Sequence, residues 1–269
     1  PNLHVSLPVC GDAGNLIRKL IQEAEKRGAS RTYPLFRGND WREQCALWKK
    51  KYPVVAEKHY ETAEEGCTNI YAFYEELSKA MKEDDLLIVS VGTSRVAGNQ
   101  AFRGKKGQRF IINSAIASMG YDLPAAIGAC VADGAKELVC LTGDGSIQMN
   151  LQELQTIKTN KLPIKIFIIN NQGYHSIRQT QTNFFGEPLV GIGPESHDLE
   201  FPSMEKLAYA YDYPYFSCDS NESLEETVHK ALEMKGSCIC EVFVTTEQKF
   251  EPKSATKRLE DGTLVSPPL

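Results

Sequence analysis

The fold is decided by one stretch of the sequence, residues 138–173, which reads LVCLTGDGSIQMNLQELQTIKTNKLPIKIFIINNQG. It opens with the apolar segment 138–141 and nears its end with the apolar segment 164–169, and both have the length of a strand. Residues 164–169 are apolar except for Lys165, so we expect both faces of that strand to be covered. Residues 148–159, between the two strands, are predicted to be helical. The stretch therefore predicts one right-handed β-α-β unit of a parallel sheet.

The rest of the chain continues this alternation in both directions. We predict further strands at residues 86–90 and 237–244, and further helices at residues 70–81, 123–132, 201–211 and 224–234. Strands that alternate with helices indicate an α/β fold with a doubly wound parallel sheet. Ahead of it, residues 3–5 read as a short strand, and residues 15–27 and 41–48 read as helices.

Composition and charge exclude several classes of function. The 269 residues are 42% hydrophobic and 24% charged, which is typical of a soluble globular protein. The net charge of −5 argues against a nucleic-acid partner, and the longest apolar run has only the length of a strand, so we expect no membrane span. None of the eight cysteines forms a C-x-x-C pair, so we expect free thiols in a cytoplasmic protein.

Polar residues follow both strands of the quoted stretch. Asp144 lies between Gly143 and Gly145 after the first strand. Asn171 follows the second strand and lies 27 residues after Asp144. The carboxyl ends of neighbouring parallel strands meet at one edge of a sheet, where ligands bind. The glycines allow a close approach to an anionic phosphate, which Asp144 would repel unless a divalent cation lay between them. Magnesium, which takes oxygen ligands, meets this requirement.

Two common phosphate-binding motifs are absent. The third glycine of a dinucleotide fingerprint would fall on Gln148, and the segment from Gly98 to Lys105 has the wrong spacing for a P-loop. The motif Gly143-Asp144-Gly145-Ser146 followed by Asn170-Asn171 instead resembles the signature of thiamine diphosphate enzymes. Residues 119–129, 143–154 and 162–166 resemble the acetohydroxyacid (acetolactate) synthase and 2-keto acid decarboxylase branch of that family.

The resemblance, strongest over about residues 85–181, implies a domain organisation. Residues 1–37 are expected to be a remnant of a central α/β domain and residues 38–66 a linker helix. Residues 67–247 would form the C-terminal domain that binds thiamine diphosphate and Mg²⁺, and residues 248–269 a surface tail. Because the chain begins at Pro1 without a signal-peptide pattern and ends at Leu269, we expect it to be part of a longer protein.

The resemblance also implies roles for individual residues. Asp144, Asn171 and the Gly173 carbonyl are expected to bind Mg²⁺. Met119 matches the apolar wedge that holds the cofactor bent, and the Ala117 carbonyl would meet its 4′-amino group. The residues expected to contact the cofactor are Thr93, Ser94, Ala117, Met119, Gly143, Gly145, Ser146, Asn171, Gly173 and Tyr174.

Two further residues, His175 and Arg178, are open to two interpretations each. His175 is either an acid–base group of the pocket or a helix residue that faces solvent. Arg178 binds a substrate anion or forms a structural salt bridge, and the second is favoured. His197 is expected at the surface.

One catalytic group of the family has no match in this chain. In these enzymes a glutamate on a separate N-terminal domain, supplied by the partner subunit, activates the cofactor. We therefore predict no turnover by this chain alone, and a homodimer or homotetramer of the full-length parent.

The resemblance implies decarboxylation of a 2-keto acid such as pyruvate and transfer of the acyl group to an acceptor that the sequence does not identify. Acetolactate synthases carry a Trp near Thr180, which is missing here, and residues 183–186 resemble enzymes of surface-polysaccharide synthesis. A keto-sugar nucleotide is therefore an alternative acceptor. A non-catalytic module that binds Mg²⁺ and a nucleotide diphosphate, and a purely structural or regulatory subunit, are alternatives of other classes.

Overall fold

The structure, a computed structural model, describes residues 6–28, 40–61, 64–251, 257–259 and 261–265. The chain forms two compact units, Pro1–Pro53 and Val54–Leu269. The first unit contains helices α1 (Ala13–Lys26) and α2 (Asp40–Lys51), while the strand predicted at residues 3–5 lies outside the described residues. None of the helices in the described ranges is both long enough and apolar enough to cross a membrane.

The second unit alternates strands with helices. Its strands are β1 (Leu86–Val89), β2 (Arg109–Ile112), β3 (Leu138–Gly143), β4 (Ile164–Asn170), β5 (Tyr215–Cys218) and β6 (Cys238–Phe243), followed by the short β7 (Lys257–Arg258) and β8 (Leu264–Val265). Its helices are α3 (Lys58–Glu61), α4 (Ile70–Ala80), α5 (Thr93–Ala101), α6 (Asp122–Ala132), α7 (Glu153–Thr159), α8 (His175–Phe184), α9 (Met204–Ala210) and α10 (Leu224–Glu233). Short 3₁₀ turns lie at Ile147–Asn150 and Pro194–Ser196.

Strands β1 to β6 form one sheet in the order β2-β1-β3-β4-β6-β5, and every pairing is parallel. Alternate residues of β3 enter different hydrophobic clusters, Val139 and Leu141 on one face of the sheet and Leu138 and Cys140 on the other. Helices α4, α5 and α10 cover the first face, and α6, α7 and α9 cover the second. The predicted doubly wound parallel sheet is confirmed.

The strand order creates a crevice at the carboxyl ends of β1 and β3. From β1 the chain moves outward to β2, crosses back to β3 on the other side of β1, and continues away to β4. The connections therefore leave β1 and β3 in opposite directions, which makes this pair a topological switch point. Ligands of open α/β sheets bind at such points.

Several elements differ from the prediction. The helix predicted to begin at Gln148 begins at Glu153, because residues 147–150 form a 3₁₀ turn instead. Strands β2 and β5 were not predicted; each has only four residues and lies at an edge of the sheet, where burial is partial. Helix α5 was not predicted, and a helix at the position of α8 was considered only as one interpretation of His175. Both segments, Thr93–Ala101 and His175–Phe184, contain few large apolar side chains to mark a helical period.

The segment after β6 packs against the domain where a surface tail was predicted. Gln248 is 5% exposed and Phe250 is 7% exposed, and Phe250 joins the cluster that contains α4. The side-chain carbonyl of Gln248 accepts a hydrogen bond from the Ile70 N–H at 3.1 Å, at the first residue of α4. Residues 248–250 thus complete the domain, because they satisfy a helix N-terminus and add to its core. The other predicted domain boundaries stay predictions.

Candidate cofactor-binding site

A cavity of about 310 Å³ lies at the carboxyl ends of β1, β3 and β4. It occupies the crevice that the strand order creates. Its lining comes from the loop after β1 and the start of α5, the loop before α6, the loop after β3, and the loop between β4 and α8. The lining residues that carry the argument below are Thr93, Ser94, Arg95, Ala117, Met119, Asp144, Ser146, Asn171, Gly173, Tyr174 and His175.

Asp144 is the carboxylate of this cavity. It is 2% exposed, and its oxygens accept hydrogen bonds from the N–H groups of Gly145 and Gly173, each at 2.8 Å. Burial raises the pKa of Asp144 to about 7, against the opposing effects of these two hydrogen bonds and of the positive charge of Arg178. A carboxylate that is costly to ionise where it stands would be stabilised by a nearby cation.

Asn171 and Gly173 lie beside Asp144 on the loop after β4. The Asn171 amide nitrogen donates to the Thr93 hydroxyl at 3.0 Å, which leaves the amide oxygen as the group that a metal could use. Gly173 has a φ of +131°, and a Cβ atom there would lie 1.9 Å from the Ile192 carbonyl oxygen. The structure thus brings the three predicted metal-binding residues together, and position 173 has no room for a side chain.

Arg178 is a structural residue in this chain. Its guanidinium group is nearly buried and pairs with Glu195 at 2.7 Å. It also donates to the carbonyl oxygens of Asn171 at 3.3 Å and Gln172 at 2.9 Å. These contacts agree with the favoured interpretation of a structural salt bridge, and they hold the loop that carries the predicted metal-binding residues.

The loop after β3 is held in place by a buried hydrogen-bond network centred on Ser146. The Ser146 hydroxyl lies 3.0 Å from the Asp122 carboxylate and 2.8 Å from the Ser90 hydroxyl, and it accepts from the Gly120 N–H at 2.9 Å. The ring of Tyr174 covers Gly145, where an added Cβ would come within 2.4 Å of a ring carbon. Gly145 and Ser146 are both expected to contact the cofactor, and in this structure the Gly145 N–H and the Ser146 hydroxyl have partners within the protein.

Thr93 and Ser94 open helix α5 directly after Gly92, whose φ is +67°. Both side chains are buried at the cavity wall, and the Ser94 carbonyl accepts from the Tyr74 hydroxyl at 2.6 Å. The tight turn at Gly92 brings the first turn of α5 to the strand end. This places Thr93 next to the loop after β4.

Ala117 and Met119 also line the cavity. Ala117 has a φ of +56°, a left-handed conformation that an alanine adopts only when its surroundings impose it. Met119 is 40% exposed and lines the cavity, so it is not a core residue. An exposed apolar side chain in the wall of this cavity is consistent with the predicted wedge.

His175 lies at the start of α8 and is buried, with 4% of its surface exposed. Its Nε2 atom lies 2.9 Å from the Gln248 carbonyl oxygen and 3.0 Å from the Gln179 amide nitrogen. The interpretation of a residue that faces solvent is therefore wrong, because the chain after β6 folds over the imidazole. His197, by contrast, is exposed as predicted.

All the residues predicted to contact a cofactor or metal surround this one cavity, and their individual roles stay predictions. Sequence reasoning missed Arg95, which also lines the cavity, and Asp122 and Ser90, which lie beneath it. Asp122 could have been noticed, because it is the one charged residue in the otherwise apolar segment 119–132.

Comparison with known proteins identifies the family to which the chain belongs. The family described as "Thiamine pyrophosphate enzyme, C-terminal TPP binding domain" matches residues 90–242. The acetolactate synthase large subunit of Porphyra purpurea is 32% identical over 218 residues, which cover 80% of this chain and 35% of that protein. Acetolactate synthase isozyme 3 large subunit of Escherichia coli (strain K12) is 28% identical over 227 residues, 84% of this chain and 38% of that protein. The chain thus spans about a third of the length of these relatives.

Fold and cavity together define an α/β cofactor-binding domain with its site at the carboxyl ends of parallel strands. The chain belongs to the thiamine pyrophosphate enzyme family, of which it contains the C-terminal domain that binds thiamine pyrophosphate, the same compound as thiamine diphosphate. Its similarity to acetolactate synthases assigns it to that branch of the family.

Proposed function

We propose that this chain is the cofactor-holding part of a thiamine diphosphate- and Mg²⁺-dependent enzyme that acts on a 2-keto acid such as pyruvate, in the manner of an acetolactate synthase. One observation carries the proposal: the residues that the family signature selects surround a single cavity at the switch point of the sheet. When bound, thiamine diphosphate supplies carbanion chemistry that cleaves or forms a bond next to a carbonyl.

The Mg²⁺ part of the proposal rests on the donors at the loop ends. Asp144, the Asn171 amide oxygen and the Gly173 carbonyl are all oxygen donors, which is the set that Mg²⁺ prefers. Burial raises the pKa of Asp144 and so disfavours its charged form in the protein alone. A divalent cation beside it would stabilise that charge and would let an anionic diphosphate approach the same loop.

The remaining residues would bind and orient. Thr93 and Ser94 at the start of α5, with the backbone of the loop after β3, would face the diphosphate. Met119 would pack against the cofactor from the exposed wall, and the left-handed backbone at Ala117 would direct its carbonyl group toward the cofactor. None of these groups is placed to act as the activating glutamate of the family, so that residue would come from the part of the relatives that this chain does not span.

The cofactor assignment can be tested by thermal unfolding of the chain with combinations of ligands. Thiamine diphosphate with Mg²⁺ should raise the unfolding temperature by about 5 °C or more when the cofactor is in large excess over its Kd. Replacing Mg²⁺ by EDTA should abolish the shift, and ADP with Mg²⁺ should give none. Equal protection by ADP would favour a nucleotide-binding module, and no protection by any combination would contradict the proposal.

The reaction can be tested in the longer protein that carries this chain, with thiamine diphosphate, Mg²⁺ and carbon-13 pyruvate followed by NMR. Accumulation of acetolactate is the expected result. Release of carbon dioxide and acetaldehyde without acetolactate would point to another acceptor, with a keto-sugar nucleotide to be tried next. Absence of any reaction would exclude pyruvate as the donor. The predicted homodimer or homotetramer and the cytoplasmic location are parts of the same proposal.

A further inference from the structure

Asp122 is a buried acid directly beneath the predicted diphosphate loop. Its side chain has no exposed surface. One carboxylate oxygen accepts from the Thr142 hydroxyl at 2.9 Å and from the Ser146 hydroxyl at 3.0 Å, and the other accepts from the Leu123 N–H at 2.9 Å. These partners are all neutral. Burying a charge is costly, so if this position served only to pack the core, a neutral residue would fill it at a smaller cost in free energy.

The hydrogen bonds of Ser146 can be assigned completely. A hydroxyl group has one proton to donate and two lone pairs that accept. With its proton on Asp122, the Ser146 oxygen accepts from the Gly120 N–H and from the Ser90 hydroxyl. All three capacities are then used. The Ser146 hydroxyl has no proton left for a phosphate oxygen.

The Ser146 side chain does not cap the turn that follows it. Ser146 directly precedes the 3₁₀ turn at Ile147–Asn150, its own backbone is helical (φ −65°, ψ −42°), and its side chain makes no hydrogen bond to that turn. The hydroxyl turns down toward Asp122, Ser90 and Gly120, so it connects the loop after β3 to the end of β1 and to the loop before α6.

We propose that Asp122 is a positioning residue for the cofactor: it holds the Ser146 hydroxyl below the loop after β3, so that the backbone of this loop, and not the serine side chain, faces the diphosphate. The inference rests on the binding of thiamine diphosphate in this cavity. It assigns Ser146 a role different from direct side-chain donation. It also explains why a charged residue is buried in the apolar segment 119–132, because a carboxylate accepts from a hydroxyl more strongly than a neutral group does.

The test measures the Kd of thiamine diphosphate by calorimetry at saturating Mg²⁺, and the unfolding temperature without cofactor, in the protein that carries this chain. Asp122→Ala and Ser146→Ala should each weaken cofactor binding about tenfold, the size of one lost charge-assisted hydrogen bond. Because the two residues act through one contact, the double variant should bind within about twofold of either single variant. A merely structural role would lower the unfolding temperature and leave the Kd unchanged, which would overturn the proposal.

Two matched variants sharpen the test. Thr142→Val removes the other hydroxyl from the same carboxylate oxygen but leaves Ser146 in place, so the Kd should stay within about threefold of wild type. Asp122→Asn keeps an acceptor oxygen for Ser146 but loses the charge, so its Kd should lie between those of the wild type and Asp122→Ala. If Asp122→Ala does not fold, Ser146→Ala carries the test, because it removes the same contact.

Three further outcomes would overturn the inference: additive losses in the double variant, a loss in Thr142→Val as large as in Ser146→Ala, or a loss in Asp122→Asn equal to that in Asp122→Ala. Additive losses would mean that Ser146 contacts the diphosphate independently. The failure of the cofactor assignment itself is recognised separately, because the wild-type protein would then bind no thiamine diphosphate and both proposals would fall.

Discussion

At the residue scale, the carboxyl group of Asp144 is buried, accepts two backbone hydrogen bonds and has a raised pKa. We expect Asp144→Asn to weaken Mg²⁺-dependent binding of thiamine diphosphate by at least about 100-fold, since the amide supplies no charge to the metal. The measurement is the cofactor-induced shift in unfolding temperature with Mg²⁺ and with EDTA. Asp133→Asn, which changes an exposed carboxylate, is the control and should behave like the wild type. An unchanged shift in Asp144→Asn would make the metal assignment wrong.

His59 provides a pH-dependent contribution to stability. It is 6% exposed, accepts from the Ala56 N–H through Nδ1 at 3.0 Å and stacks on Tyr71 with ring centroids 4.8 Å apart. Burial lowers its pKa below 6.5, assisted by Lys58 and opposed by Glu251. The unfolded chain therefore binds a proton more readily than the folded chain. The contribution of His59 to the unfolding free energy is therefore complete above about pH 6.5, and it is lost as the pH falls from there toward the pKa of His59 in the folded chain.

His59→Asn should remove this dependence while it keeps an acceptor for Ala56. Urea unfolding at pH 7, 6 and 5 should show a smaller loss of unfolding free energy on acidification than in the wild type. His229→Asn, which removes an exposed histidine, is the control. Parallel loss of stability in His59→Asn and wild type would rule out this contribution.

At the element scale, the loop between β4 and α8 is shaped by a glycine that no other residue can replace. A Cβ at Gly173 would lie 1.9 Å from the Ile192 carbonyl oxygen, and φ is +131°. Gly173→Ala should therefore lower the unfolding free energy by about 2–4 kcal/mol and also weaken cofactor binding. Gly191→Ala, at a φ of +63° with nothing within 4 Å of the added Cβ, tests the conformation without the clash. It should cost only about 1–2 kcal/mol, measured by the same denaturant titration. Equal costs for the two variants would contradict the steric argument.

The strands and helices differ in how well hydrophobic patterns in the sequence predict them. The strands Leu138–Gly143 and Ile164–Asn170 were predictable, because both are buried on two faces and consist mainly of apolar residues. Helix α8 was not, because its buried residues are His175 and Arg178, which are polar and held by hydrogen bonds. A hydrophobic period cannot reveal a helix whose buried face is polar.

At the scale of the whole molecule, the chain contains a cofactor cavity and spans about a third of its relatives. We expect the isolated chain to convert less than about a thousandth as much pyruvate per minute as the longer protein that carries it, because loss of an acid–base group and its supporting domain removes several orders of magnitude in rate. The measurement compares both proteins at saturating thiamine diphosphate and Mg²⁺. A cofactor-induced shift in unfolding temperature shows that the isolated chain is folded and loaded. Comparable turnover by both would mean that the chain contains its own activating group.

The sequence by itself determined the α/β class, the family and the adjacency of Asp144 and Asn171. These follow from local properties: strand-length apolar runs, a glycine-rich turn and a separation that allows one right-handed crossover. Only the tertiary structure decided that β2 and β5 occupy the two edges of the sheet, that Gln248 covers His175, and that Asp122 holds Ser146. The physical reason is that each of these depends on side chains or backbone groups from segments far apart in the chain. Their contact is set by how helices and strands pack, and no pattern within one segment records it.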